Sequence, residues 1–513
     1  MRRSFLFGDG RLCAVVAGTT AAEMARQLRR ALRETSIAEV RLDWLANDAE
    51  RGSFLHWLKR QEFRATILAT CRRLEAGGEF AGDVAQELFV LERAVRAGCT
   101  WCDVGIETAV QLPRGTMRAL LTPAKILLSF HNFQKTPRDL VAKRAALQRI
   151  KRSDRNAVKV ATQAKTLAEG IRVLSLARGQ HNVVAVPMGE TCAPLRVLAT
   201  REGSALTYAP VEQDTAPGQY ALEDMRKMFR VDKIGRGTRV YGVIGDPVGH
   251  SLSPVLHNTA FQARRIDAVY LPFLVHDLRD FVGAIARLGI GGFSVTLPHK
   301  HAIMRYLDDC DALAAKIGAV NTVLVRRHKL YGYNTDYAGV LEALEGRIGL
   351  VGSRILLFGA GGAARAAGFA LAEAGASVFV CARRPARARA LARAIGGQAI
   401  SRRQLRREFF DAIINATPVG MFPRANVSPL AAGELNCRVV MDLIYRPMKT
   451  RLLELARRRG LIAISGVEMF LAQARWQWEI WTGLRPPEDA MRSAVVSLLR
   501  KEERAQARPR AAR

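Results

Sequence analysis

Eight short apolar runs rich in β-branched residues recur through the first two-fifths of the chain. They are Leu12–Gly18, Ala38–Leu45, Ala65–Cys71, Trp101–Glu107, Ala124–Asn132, Ala157–Thr162, Asn182–Gly189 and Ser204–Ala209. Most are separated by helix-like segments with readable starts. Thr20 precedes Ala21–Arg33 as an N-cap, Asp83 leads Val84–Ala97 and Gly98 closes it, and Thr136-Pro137 opens Arg138–Ile150. Strands that alternate with helices pair in parallel, because each crossover returns the chain to the same edge. Eight such units are the count of a closed (β/α)8 barrel. An open doubly wound sheet is the other arrangement this pattern permits.

A barrel of this kind concentrates its chemistry at the C-terminal ends of its strands. Glu39 and Arg41 share one face of the second run, Arg72 follows the third, His131 ends the fifth, Lys159 lies inside the sixth, and Arg196 follows the seventh. Within Ala157-Val-Lys-Val-Ala161 the lysine is flanked by apolar neighbours. A low-dielectric interior disfavours the ammonium form and promotes imine chemistry. A lysine snorkelling from a strand end and a structural histidine are the bland readings of each residue alone. Their convergence on one barrel mouth favours function.

The second half opens with Val240-Tyr-Gly-Val-Ile-Gly245 and contains Ile355-Leu-Leu-Phe-Gly-Ala-Gly-Gly-Ala-Ala-Arg-Ala366. There, an apolar strand enters a glycine turn and then an alanine-rich helix. Gly359 permits the tight turn, and Gly361 lets the backbone approach a pyrophosphate at the helix N-terminus. The next run, Ser377-Val-Phe-Val-Cys381, ends in Ala382-Arg383-Arg384. An NAD site places a carboxylate there; arginines suit the 2′-phosphate of NADP. NADP(H) is the expected cofactor. Polar residues also follow short apolar runs at Ser251, Ser253, Thr296, Lys300, Asn321 and Asp336. A lysine and a carboxylate at one cleft supply the proton transfer that carbonyl reduction needs; an ordinary surface ion pair is the alternative.

A chain of 513 residues exceeds one ordinary core and implies several domains. The formal charge of +31 is spread over both halves. That spread fits a basic surface attracting anionic metabolites rather than a nucleic-acid-specific stripe. Cys99 and Cys102 form a lone Cys-x-x-Cys, so no metal site is expected, and the scattered cysteines suit a reducing cytoplasm. No apolar run of about 18 residues would span a membrane. Met1–Phe7 starts like an export signal, but Gly8-Asp9-Gly10 interrupts it.

Over roughly residues 10–225 the ordered set Glu39-Val-Arg41, Thr70-Cys-Arg72 with Gly77-Gly78, Ser129-Phe-His-Asn-Phe133, Lys159-Val-Ala161, Met188-Gly-Glu190, Gly203-Ser204 and Ala216-Pro-Gly-Gln219 resembles type I 3-dehydroquinate dehydratase. The resemblance implies an imine between Lys159 and the substrate ketone, with His131 removing the C2 proton and later protonating the departing hydroxyl. It further implies that Arg196 clamps the carboxylate, while Glu39, Arg41, Arg72, Ser204 and Gln219 hold hydroxyls and the lid. One departure bears on mechanism. The family places a glutamate partner for the histidine in an Asp-Val-Glu strand, and this chain has Asp103-Val104-Gly105. Glu107 shares the face two residues on, about 6–7 Å further along an extended strand, and there it is a poor substitute. Cys192, Leu195 and Glu75-Ala-Gly-Gly78 are further departures.

Residues 239–498 resemble shikimate dehydrogenase through Ser251-x-Ser253-Pro, Val295-Thr-Leu-Pro-His-Lys300, Asn321-Thr322, Asn334-Thr-Asp336, Asn415-Ala-Thr-Pro-Val-Gly-Met421, Asp442-Leu-Ile-Tyr445 and Gly466-x-x-Met469-x-x-x-Gln473. The resemblance implies an NADPH-dependent reduction of 3-dehydroshikimate to shikimate. Lys300 and Asp336 would be the acid/base pair. Ser251 and Ser253 would hold the substrate carboxylate, and Thr296, Asn321, Tyr445 and Gln473 its hydroxyls. Gly359, Ala360, Gly361, Gly362, Ala363, Arg383, Arg384, Arg387, Thr417, Met421 and Gly466 would bind the nucleotide. Ser294 stands where the family often has asparagine.

The expected layout is a dehydratase barrel at 1–222, a linker at 223–238, and a substrate domain at 239–347 completed by 466–499. A Rossmann domain follows at 348–465, and a basic disordered tail at 500–513. The expected activity is two consecutive shikimate-pathway steps in the cytoplasm, from 3-dehydroquinate through 3-dehydroshikimate to shikimate, with small-molecule substrates as partners and no specific nucleic acid or membrane. The rival is a shikimate or quinate dehydrogenase whose dehydratase half is impaired at Gly105.

Overall fold

Parallel strands buried on both faces read as near-continuous apolar runs, and that is what the first half builds. The computed structural model describes residues 6–113, 115–151, 153, 155–212, 218–422 and 424–507. Strands β1 (Leu12–Val16), β2 (Ile37–Arg41), β3 (Thr66–Thr70), β4 (Trp101–Gly105), β5 (Lys125–Asn132), β6 (Ala157–Gln163), β7 (Val183–Met188) and β8 (Thr207–Pro210) form one parallel sheet. Its order is β7-β6-β5-β4-β3-β2-β1-β8. The Ala205 N–H donates to the Val183 carbonyl at 2.8 Å, which brings the two ends of the sheet together as a barrel.

The expected caps are in place. Thr20 accepts from Glu23 N–H at 3.2 Å, and Asp83 and Gln86 cap each other reciprocally at 2.8 and 2.9 Å. Four boundaries differ from expectation. The second run stops at Arg41 and turns through Leu42–Trp44. The fourth stops at Gly105, where the helix Ile106–Ala109 begins. The eighth starts at Thr207 rather than Ser204. The helix expected from Arg138 starts at Leu140, because the Thr136 hydroxyl donates to Gln163 O at 2.8 Å instead of capping.

In the second half, β9 (Arg239–Gly245), β10 (Ala268–Leu274), β11 (Ile290–Val295), β12 (Asp309–Cys310), β13 (Thr322–Arg326) and β14 (Lys329–Tyr333) form a mixed sheet. Its order is β10-β9-β11-β13-β14-β12. A third sheet joins β15 (Arg354–Phe358), β16 (Ser377–Cys381), β17 (Gln398–Ala399), β18 (Phe410–Asn415), β19 (Cys437–Asp442) and β20 (Ile462–Ile464). All its pairs are parallel, in the order β17-β16-β15-β18-β19-β20. This is the doubly wound arrangement whose order reverses between its first and fourth strands, and ligands bind at that switch point. By contacts the chain divides into two compact units, 1–239 with 267–289 and 240–266 with 290–513.

The segment 223–238 contains two short turns of helix, Asp224–Met228 and Val231–Lys233. The tail expected at 500–513 is instead helical through Ala507, continuing Glu488–Ala507. Its acids find partners: Arg446 Nε donates to Glu502 at 2.8 Å, and Met448 N–H to Glu503 at 3.2 Å. Residues 508–513 lie outside the described residues, as do Ala216 and Pro217 of the Ala216–Gln219 motif. Among the described residues no helix is long and apolar enough to cross a membrane.

Trp101 and Phe7 stack at 4.1 Å within the apolar filling of the barrel, and both are almost fully buried. Trp101→Ala should therefore cost about 3–5 kcal/mol, more than a surface change would. Urea unfolding followed by circular dichroism should show the earliest transition moving to lower denaturant.

Candidate active sites

At the barrel mouth, strand register sets which side chains meet. Ser129 on β5 lies opposite Gly105 on β4 and Lys159 on β6, so these positions share one level of the interior. Lys159 Nζ stands 3.1 Å from Asp103 Oδ2, 3.8 Å from Glu39 Oε1 and 4.4 Å from the centre of the Tyr208 ring. The other Asp103 oxygen accepts from Ser129 Oγ at 2.5 Å and Arg72 Nη2 at 3.0 Å. Arg72 Nη1 meets His131 Nε2 at 2.6 Å. Thr70 fixes Glu39 at 2.6 Å, and Arg41 is gripped by Asp43 at 2.9 and 2.6 Å.

These charges shift one another. Burial would raise the Asp103 carboxyl, yet Lys159, Arg72, His131 and the Ser129 hydroxyl together hold it well below the usual carboxylate range. Burial, then the Arg72 and Lys159 charges, keep the His131 imidazole well below its ordinary value against the pull of Asp103. His131 is thus a neutral base at neutral pH.

Glu39, Arg41, Arg72, His131, Lys159, Arg196 and Gln219 line one cavity with Tyr208. Ser204 does not. It precedes β8, at the end of the barrel where Arg11 reaches its carbonyl at 3.1 Å. Its hydroxyl accepts from Ala185 N–H at 3.0 Å and donates to Leu206 O at 2.7 Å. The expectation came from the family resemblance, and the residue stands before the N-terminal end of β8, away from the strand C-termini that form the mouth. Asp103 was missed, although an aspartate inside the apolar strand Trp101–Gly105 signals a buried, paired charge.

In the second half, one cleft of about 190 Å³ is lined by Ser251, Ser253, Thr296, Lys300, Asn321, Asp336, Tyr445 and Gln473, the whole expected substrate set. Lys300 Nζ donates to Asp336 Oδ2 at 2.5 Å, and Asn321 Nδ2 donates to Asp336 Oδ1 at 2.7 Å. Asp336 begins the helix Asp336–Glu345, and Gln473 lies on the helix Gly466–Thr482. A side chain at Gly339 would meet the Met469 carbonyl at 2.8 Å, so glycine there lets the two helices close on Asn321. Ser294 donates to Gln477 Oε1 at 3.0 Å and so is tied into the helix.

A larger cavity of about 1050 Å³ lies at the switch point of the third sheet. Gly359, Ala360, Gly361, Arg383, Arg384, Arg387 and Thr417 line it, with Arg389 and Arg402, which were not anticipated. Gly359 has φ +130° and its Cβ would strike the Ala416 carbonyl at 2.8 Å. Gly361 caps the helix Gly362–Glu373 without a side-chain bond, and a Cβ at either Gly361 or Gly362 would meet nothing within 4 Å. Free helix N–H groups beside open space and a cluster of arginines fit a phosphorylated dinucleotide. Ala363 and Gly466 face the substrate cleft instead. Gly466 is a packing glycine, since its Cβ would lie 2.6 Å from Ile444 backbone. Met421 is half exposed outside the cavity lining, set there by the turn in which its N–H bonds Pro418 O.

A closed barrel around a buried lysine, followed by a reductase-type cleft beside a dinucleotide fold, defines a chain with a lyase half and an oxidoreductase half. Residues 12–236 match the family model of type I 3-dehydroquinase. Residues 243–323 match the shikimate dehydrogenase substrate binding domain, and 466–496 the shikimate 5′-dehydrogenase C-terminal domain. The chloroplastic bifunctional 3-dehydroquinate dehydratase/shikimate dehydrogenase of Arabidopsis thaliana is 34% identical over 93% of this chain and 83% of its own length. The shikimate dehydrogenase (NADP(+)) of Methanothermobacter thermautotrophicus is 42% identical over 52% of this chain and 98% of its own. A crystal structure of a shikimate dehydrogenase in complex with NADP+ matches with a TM-score of 0.50 and 39% identity, covering 52% of this chain and 97% of that one. The chain belongs to the bifunctional 3-dehydroquinate dehydratase/shikimate dehydrogenase family.

A lowered imidazole keeps its base form to lower pH. Were His131 the base of the barrel's reaction, kcat/KM should hold on acidification past the ordinary histidine value of 6.5 and fall only well below it. A pH–rate profile whose acidic midpoint lies at or above 6.5 would contradict the electrostatic account.

Proposed function

We propose that the chain converts 3-dehydroquinate to 3-dehydroshikimate in its barrel and reduces that product to shikimate in its second half. The observation that carries this reading is that each half holds a lysine paired with a carboxylate in a cavity, Lys159 with Asp103 and Lys300 with Asp336. In the barrel, Lys159 Nζ attacks the substrate ketone and water leaves, giving an imine. His131 removes the C2 proton, the electrons pass toward the imine, and the same histidine returns the proton to the departing hydroxyl. Hydrolysis then frees the lysine, so the net change is loss of one water. Arg196 clamps the carboxylate, and Glu39, Arg41, Arg72 and Gln219 hold the hydroxyls and close over them.

NADPH, when bound at Gly359–Gly361 with Arg383, Arg384 and Arg387, supplies hydride to the substrate carbonyl. The chain's own residues do the rest. Lys300 and Asp336 deliver the proton to the carbonyl oxygen, with Asn321 fixing the aspartate. Ser251 and Ser253 bind the carboxylate; Thr296, Tyr445 and Gln473 orient the ring. The working division is a barrel at 1–222, a linker at 223–238, a substrate domain at 239–347 with 466–499, and a nucleotide domain at 348–465. The eight cysteines are all free, seven of them buried, which supports residence in a reducing compartment such as the cytoplasm. Small molecules are the proposed partners, and the basic surface serves anionic metabolites rather than a specific nucleic acid.

Purified protein given 3-dehydroquinate and NADPH should accumulate shikimate. Accumulation of 3-dehydroshikimate or unchanged substrate would reject one half or both. Borohydride added with 3-dehydroquinate should place a covalent label on Lys159, read by peptide mass spectrometry; turnover with a label elsewhere rejects the imine assignment. Lys300→Ala should lower shikimate oxidation by about 10²–10⁴-fold and leave dehydration intact.

A further inference from the structure

The end of the barrel opposite the catalytic mouth carries a further cavity, of about 470 Å³, with a cationic lining. Every residue around it belongs to the first compact unit. Three loops build it, each at the N-terminal end of a strand. Arg11 stands just before β1, Gly179–His181 before β7, and Thr200 to Gly203 before β8. Gly235 and Arg236 complete the wall. Gly203 has φ +107°, and a Cβ there would strike the Ala177 carbonyl at 2.6 Å, so glycine lets the loops before β7 and β8 meet. A Cβ at Gly179 or Gly235 would meet nothing within 4 Å, so the wall opens on free space. Barrels of this type keep their chemistry at the opposite face, and these charges have no part in the reaction at Lys159.

Arg11, His181, Arg201 and Arg236 line this space, and among the described residues no carboxylate does. Glu202, beside Arg201 in the chain, already has one oxygen on Arg178 at 2.6 Å and the other on Arg201 at 3.1 Å. Two of the guanidiniums are held in place by the backbone. Arg11 donates to the carbonyls of Thr200 and Ser204 at 3.0 and 3.1 Å, and Arg201 to the Leu288 carbonyl at 2.9 Å. Burial lowers the Arg11 guanidinium from its ordinary value, a bias that a neighbouring anion opposes. Thr200 adds a neutral donor. Only 3% of it is exposed, and among the described residues its hydroxyl has no hydrogen-bond partner. Arg201 Nε is likewise buried without an acceptor. Buried donors are seldom left unmet. We infer that this cavity binds a small phosphate-bearing anion, either inorganic phosphate or a phosphate monoester of a few carbons. A tetrahedral dianion meets donors arriving from three loops, where a planar, singly charged carboxylate would leave several unanswered. The volume exceeds what the bare ion fills and has room for a short carbon chain.

Isothermal titration calorimetry on the full chain, at about 0.15 M potassium chloride, tests this with inorganic phosphate and glycerol 3-phosphate as probes. Saturating NADP+ keeps both probes out of the nucleotide cavity. At least one probe should bind saturably; equal affinities identify the phosphate group alone as the ligand, and tighter glycerol 3-phosphate identifies the monoester. Thr200→Val keeps the shape, removes the hydroxyl and should weaken binding about 10-fold. Arg236→Ala removes an exposed cation and should weaken it about 2–5-fold. Far-UV circular dichroism and shikimate oxidation should match the parent in both variants. Absence of saturable binding by either probe overturns the inference. So does an affinity unchanged in both variants, which would place the anion elsewhere on the basic surface.

Discussion

A carboxylate with no exposed side-chain surface, Asp103, sets the geometry of the barrel mouth. Burying a charge is unfavourable unless partners replace its water, and removing one partner of such a pair typically costs about 3–5 kcal/mol. Asp103 meets the requirement by dividing its oxygens. One receives Lys159, and the other receives Ser129 and Arg72, which in turn holds His131. The proposed nucleophile and the proposed base are therefore anchored to one group on one strand. A shift of β4, β5 or β6 relative to the other two would strain one of these bonds at once. That stiffness is what covalent chemistry needs, since reacting atoms must be held near contact distance.

The second half relies on close backbone approach rather than on a buried charge. Gly359 and Gly339 each stand where a Cβ would collide with a carbonyl oxygen at 2.8 Å. The first lets β15 turn into its helix beside β18, leaving N–H groups facing open space. The second lets the helices carrying Asp336 and Gln473 approach until both reach Asn321. Both cavities of the second half thus depend on the absence of a side chain, one at Gly359 and one at Gly339.

Much of this was legible in the chain. Parallel strands are buried on both faces, so their apolar runs stand out, and all eight barrel strands fall where the runs predict. The glycine turn, the arginines after β16 and the substrate set of the second half were legible because each sits at a strand end. What was not legible depends on where strands stop. Ser204 enters the expected substrate set only through the family resemblance, yet it precedes β8 and lies at the opposite end of the barrel. Glu107 reads as an extended residue in the sequence, yet it lies in the helix Ile106–Ala109. The basic end at 500–513 reads as a disordered tail, but Glu502 pairs with Arg446, 56 residues away in sequence, and no local pattern encodes that. Asp103 carried a signal, a carboxylate amid apolar neighbours, that only its partners make intelligible.

The two lysine–carboxylate pairs differ in the one respect their proposed chemistries require. Lys159 has 7% of its side chain exposed and Asp103 none, whereas Lys300 has 23% and Asp336 12%. An imine must be shielded from bulk water between its formation and its planned hydrolysis, and charges around it act more strongly when water is excluded. A proton donor has the opposite need. Having given its proton to a reduced carbonyl, it must recover one each turnover, and contact with solvent provides it. Exchanging the two environments would harm both steps, since a half-exposed Lys159 would lose its intermediate early and a sealed Lys300 would discharge once and stay discharged. The difference in burial, more than the identity of either pair, separates a lysine suited to forming a bond from one suited to passing a proton.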